Sequence, residues 1–149
     1  MKNYELEAQS KLVKNWETIN NLMWGEDEEN IFFTYNGIVC YVIKKNFFII
    51  DKERLKVRNE KPFSIETLYN PADIYHPAQF KGIIFDKDKQ LALLEAENVK
   101  VYVDMKIFKE FDHEGFTYEI KSPTNLVRVY YGGRLFALVC PVRASRDLQ

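Results

Sequence analysis

Leu12, Trp16, Ile19 and Met23 recur at steps of four, three and four, a spacing that puts them on one helix face. The pattern predicts a helix over 5–24, with Gly25 at the C′ position that ends it. An acidic run, Glu26, Asp27, Glu28 and Glu29, then reads as a solvated loop. The period shortens to two in IFFTYNGIVCYVI. Asn36-Gly37 is the preferred pair for a two-residue type I′ turn, because both positions need positive φ. That turn would pair Tyr35 with Ile38 and Phe33 with Cys40. Ile31, Phe33, Tyr35, Ile38, Cys40 and Val42 would then share a core face. A second turn near Lys45-Asn46 would return the chain through Phe47 to Ile50, completing a three-stranded meander.

Residues 51–78 are less regular. KERLKVR extends the meander or forms a short helix, and SIETL makes a helical turn capped by Ser64. Pro71 and Pro77 punctuate what reads as a crossover. Beyond it, FKGIIF, the turn DKDK and LALLEAE form a hairpin, and VKVYV adds a strand. DMKIFKEF follows as a helix with Asp104 as N-cap and Ile107, Phe108 and Phe111 as its apolar stripe. FTYEIK, NLVRVYY and RLFALVC then form a second meander. In it Gly132-Gly133 pairs Tyr131 with Arg134 and Val129 with Phe136. A helix followed by three antiparallel strands thus occurs at 5–51 and again at 104–140. The expected fold is α+β: two helices packed on antiparallel sheet, arranged as two helix-plus-meander halves of one domain spanning 1–149.

Composition narrows the function classes. A chain of 149 residues, 46% hydrophobic and 15% aromatic, has the material for a packed core. Its formal net charge of −1 offers no global attraction to nucleic acid or to an anionic membrane, so any such contact needs a local patch. The beginning of the sequence carries glutamates and lacks the apolar stretch of a signal peptide, and no run is long enough to span a bilayer. A cytoplasmic protein without membrane partners is expected. Cys40 and Cys140 both sit in apolar runs and read as buried, inert thiols.

Candidate chemistry is sparse. His76 precedes a proline and reads as a loop residue, while His113 lies in a surface turn between Asp112 and Glu114, whose side chains point apart. No phosphate loop, nucleophile elbow or paired catalytic carboxylates can be placed, and no metal or cofactor is implied. The chain is therefore expected not to be an enzyme. Residues 44–61 carry seven Lys or Arg against three Asp or Glu. Lys52, Arg54, Lys56 and Arg58 would line one side of an extended segment, as phosphate contacts or, by preference, as charge protecting a soluble sheet edge. Arg128, Arg134, Arg143 and Arg146 spread over the last hairpin and tail, with Arg134 exposed beside its turn.

The closing strand ALVCPVR, with its Pro-x-Arg ending, resembles the last strand of bacterial DNA sliding clamps. VYVDMKIFKEF looks like the strand-then-helix of the same domain type. The resemblance covers about 45 C-terminal residues plus the repeated element order, a pattern also similar to small phage or mobile-element proteins. It implies a clamp-like fold whose helices line a DNA channel, with Lys11, Lys14, Lys106 and Lys109 as the nucleic-acid-binding residues. A bacterial clamp chain has three such domains and this chain has room for one, so ring closure would require further copies of the chain. The function expected is a non-enzymatic accessory protein of phage or mobile-element DNA transactions, contacting the backbone electrostatically. The alternative is a protein–protein interaction module without a nucleic-acid role. It would use a sheet edge or an aromatic surface, with Trp24, Tyr69 and Tyr75 as candidate anchors.

Overall fold

The computed structural model describes residues 2–145, which form an α+β fold of nine strands and three α-helices. They fall into two compact units, Met1–Asn70 and Pro71–Gln149.

In the first unit, α1 (Tyr4–Lys14) is capped by the Asn3 side chain, which accepts from the Leu6 N–H, and buries Ala8, Gln9 and Leu12. The helix stops ten residues short of the expected end. Asn15 takes over the C-terminus, its side-chain amide donating to the Lys11 carbonyl at 2.7 Å. Asparagine competes in this way with helical continuation. Beyond it the chain is held from a distance: the Arg58 guanidinium donates to the carbonyls of Trp16 and Ile19 and stacks over the Trp16 ring at 4.9 Å. Met23 and Gly25 belong instead to β1 (Met23–Glu26), which pairs antiparallel with β2 (Asn30–Thr34), itself paired with β3 (Val39–Lys44).

A three-stranded meander therefore exists, but its third strand precedes the Asn-Gly loop rather than following it. Residues 47–50 make no return strand because their backbone is engaged by α1. The buried Gln9 amide donates to the Phe47 carbonyl at 2.9 Å and accepts from the Ile49 N–H at 2.8 Å. The β2–β3 register also differs by one residue, with Phe33 opposite Tyr41. Asn36 accepts from the N–H groups of Ile38 and Val39, and Thr34 accepts from Gly37, which widens the connection beyond two residues. Both faces of β2 and β3 are buried, so Phe32 joins Ile31 and Phe33 in the core, while Ile38 falls in the exposed loop before β3. Of the acidic run, Glu26 ends β1 and pairs with Lys52 at 3.0 Å. The other three residues form the β1–β2 turn, where Asp27 accepts from the N–H groups of Glu29 and Asn30. KERLKVR is α2 (Lys52–Arg58), capped by Asp51 and buried through Leu55. The expected edge strand is thus a helix, and its four alternate cations fan around it instead of lining one side. Ser64 caps the short 3₁₀ turn Ile65–Thr67, as expected.

In the second unit, β4 (His76–Asp86), β5 (Lys89–Ala96) and β6 (Val99–Asp104) form consecutive antiparallel pairs. Asp104 caps α3 (Met105–Phe108) through its side chain, and β7 (Phe116–Ile120), β8 (Val127–Tyr131) and β9 (Arg134–Val139) complete the second meander. The order across the sheet is β9-β8-β7-β4-β5-β6. Strand β4 serves two partners. His76–Ala78 pair with β7, and a bulge at Lys81 beside Gly82 (φ 124°) redirects the strand so that its remainder pairs only with β5. Gly132 and Gly133 both have positive φ, as a type I′ turn requires, and Tyr131 opposes Arg134 as expected. A bulge next to Tyr130 then places Val129 opposite Ala137 rather than Phe136.

Past β9 the chain crosses to the other end of this sheet. The Val142 N–H donates to the Tyr102 carbonyl at 2.8 Å, so a single bridge closes the circuit of pairings. Ala144 is buried against Leu91 and Tyr102, with Ile84, Leu93 and Val142 packed around them. Residues 140–145 therefore act as a strap over the β4–β5–β6 face turned away from α3.

Candidate functional site

The four sequence-predicted lysines lie on two helix ends. Lys11 and Lys14 occupy the last turn of α1, where Lys14 is exposed and Lys11 half-buried. Lys106 and Lys109 are exposed on α3 and at its C-cap. The expected helix over DMKIFKEF is a single α-helical turn, because after Lys109 the Glu110 and Phe111 N–H groups continue with 3₁₀-type bonds. Each pair is set by local structure, and each lies in a different compact unit.

The proposed aromatic anchors divide. Trp24 is only 2% exposed, its indole donating to the Asn59 carbonyl at 2.8 Å, so it is a core residue and no surface anchor. Tyr69 is half-buried. Tyr75 is committed inside the second unit. Its hydroxyl donates to the Leu126 carbonyl at 2.9 Å, and the Arg128 guanidinium lies 3.6 Å above its ring. Arg128, 4% exposed, also faces Glu119 at 3.9 Å, and Glu119 accepts from the Tyr130 hydroxyl at 2.9 Å. Burial pushes the Tyr75 hydroxyl pKa up, against the opposing pull of Arg128. These side chains satisfy one another and form a structural cluster tying β7 and β8 to the segment before β4. Arg134, read as exposed, is half-buried, Arg143 is exposed, and Arg146 lies outside the described residues.

His76 opens β4 opposite Ile120, and His113 is exposed in the turn after α3. Among the described residues no three His, Cys, Asp or Glu side chains gather as a metal site. Cys40 is buried, and burial pushes the half-buried Cys140 thiol above its usual range, which keeps it protonated and unreactive at neutral pH. No described helix is long and apolar enough to cross a membrane.

A feature with binding capacity lies on β4. Beyond the bulge, Gly82–Asp86 pair with β5 on one side, and no described residue hydrogen-bonds to the backbone of the other side. Ile83 is 45% exposed and Phe85 73% exposed along this open edge. An edge that couples unpaired backbone donors and acceptors with exposed apolar side chains is a template for one more strand. FKGIIF reads as a strand from sequence, but nothing in those six residues says that one of its edges stays open.

The strap offers a pH-dependent observable. The Ser145 N–H donates to the Asp86 carboxylate at 2.9 Å, and this bond holds the Asp86 pKa below its ordinary value. A carboxylate depressed in the folded state contributes stability above its unfolded pKa, and that contribution disappears as pH falls through the folded value. The Ser145 amide resonance is therefore expected to titrate in acid with a midpoint below the ordinary aspartate range. A midpoint at the ordinary value would show that the bond does not persist in solution.

No protein-family model, curated protein or solved structure matches the chain.

Proposed function

We propose that the chain is a non-enzymatic binding module that takes an extended segment of a partner protein along the open edge of β4. One observation carries this reading: Ile83 and Phe85 are exposed on the half of β4 whose outer backbone has no described partner. Strand addition draws affinity from main-chain hydrogen bonds and specificity from alternate side chains. Ile83 and Phe85 are such an alternate pair, and they would supply the apolar contacts. Capture from host extract is the test, with Ile83→Lys/Phe85→Lys as the variant. A lysine edge discourages pairing, and both sites are solvent-facing, so thermal stability should change little. Capture of a protein that survives nuclease treatment and is lost in this variant supports the reading. Capture undiminished by the two lysines overturns it.

A second reading keeps electrostatic contact with a DNA backbone and a clamp-like arrangement. It is supported by exposed Lys106 and Lys109 on one turn, and by the order of a helix followed by three antiparallel strands in each unit. Under it, Lys106→Glu/Lys109→Glu abolishes a salt-sensitive capture that nuclease also removes, while the β4 variant behaves as wild type.

A further inference from the structure

The strap forms one wall of a cleft of about 870 Å3 whose other walls are β6 and the loop between β7 and β8. We propose that this cleft binds a small amphipathic anion, an oxyanion head group carrying an apolar or aromatic body. The site is distinct from the β4 edge and does not depend on the partner reading. Its size falls within the range of ligand pockets.

Chemistry selects the ligand class. Lys100 and Arg143 both line the cleft, and no Asp or Glu does so among the described residues. A chain of net charge −1 thus concentrates two cations in one concavity. Leu126, Pro123 and Val142 supply an apolar floor beside them. A cationic ligand would meet repulsion there, and a purely apolar one would draw nothing from the two charges. An anion with an apolar body satisfies both parts. Guanidinium matches an oxyanion through two parallel N–H donors, and lysine adds a point charge.

The walls are also preformed. The Val142–Tyr102 bond pins the strap to β6, and the Asp86 carboxylate holds the strap's far end at Ser145. The loop wall is tied internally, with the Thr124 and Asn125 N–H groups both donating to Ser122. A binder of this class would lose little freedom in ordering the cleft.

The matched dyes 8-anilinonaphthalene-1-sulfonate and N-phenyl-1-naphthylamine share a ring system and differ by the sulfonate. Fluorescence titration of the full chain should show saturable one-to-one binding of the sulfonate, with the neutral dye about ten-fold weaker or worse, the effect of about one charge-assisted hydrogen bond. Lys100→Gln/Arg143→Gln should weaken the sulfonate about ten-fold or more and leave the neutral dye unchanged. Both substitutions are at exposed positions, so an unchanged thermal midpoint separates lost binding from lost folding. The Ile83→Lys/Phe85→Lys variant should bind the dye as wild type does, which separates this site from the β4 edge. Displacement by decanoate or by decyl phosphate identifies the preferred head group. Equal binding of the two dyes, insensitivity to the Lys100/Arg143 substitutions, loss in the β4 variant, or displacement by neither amphiphile overturns the proposal.

Discussion

Gly25→Ala is expected to destabilise the first unit by about 3 kcal/mol, at the upper end of what a single added methyl group costs in a packed interior. The reason is not backbone conformation, since Gly25 lies in β1 opposite Phe32 with ordinary strand pairing. A Cβ at this position would run into the backbone carbonyl oxygen of Phe63 and the edge of the Phe32 ring. A ring can turn, but the carbonyl cannot retreat cheaply. The Phe63 N–H donates to the Trp24 carbonyl at 2.9 Å, and the Phe63 ring meets Phe32 edge-on at 5.1 Å. Moving Phe63 therefore breaks a main-chain bond and an aromatic contact together. Thermal unfolding should shift down by roughly 10 °C. A variant as stable as wild type would mean that the segment at Phe63 does not lie against β1.

Phe111→Ala should cost about 4 kcal/mol, the range for removing a buried aromatic ring. Phe111 is 1% exposed just past α3, with its ring centroid 5.8 Å from Phe116 and 6.2 Å from Phe136. Those two rings meet each other at 5.6 Å, and Phe116 meets Tyr131 at 4.7 Å. The cluster thereby joins the turn after α3 to three successive strands. The Tyr118 hydroxyl donates to the Phe111 carbonyl, and burial together with the nearby Asp112 charge pushes its pKa up to about 12. Truncating Phe111 opens a cavity between these elements. Urea denaturation provides the comparison: Phe85→Ala, at a 73% exposed site, should stay within about 0.5 kcal/mol of wild type. Similar losses at both positions would contradict the packing described here.

Local chemistry in the sequence foretells the elements that local chemistry decides. Gly132-Gly133, the Asp104 cap and the Ser64 cap all depend on a few adjacent residues, and all stand where the sequence puts them. The misreadings come from distant partners. Trp16 and Ile19 fall on a helical period, yet Arg58 holds their carbonyls in a turn. Gly25 has the look of a helix end and is instead the point where a neighbouring backbone passes closest. Lys52, Arg54, Lys56 and Arg58 alternate like a strand, but Asp51 caps a helix that needs only Leu55 buried. The bulge in β8–β9 shifts Phe136 off its expected partner Val129, although the glycine turn itself is correct. The candidate sites are harder still to see in a sequence. The open half of β4 exists because the bulge at Lys81 turns the strand away from β7. The cleft is assembled from residues near 100, 124 and 142, which no motif connects.

The bridge between Val142 and Tyr102 has a consequence for how the second unit is made. Synthesis proceeds from the N-terminus, so β6 emerges well before the residue that covers it. Until then Leu91 and Tyr102 lack the strap that later buries Ala144 against them. Closure also joins positions forty residues apart in sequence, a long-range step of the kind that slows folding. The nascent unit thus passes through a stage with an unprotected apolar face, when self-association competes with completion of the fold.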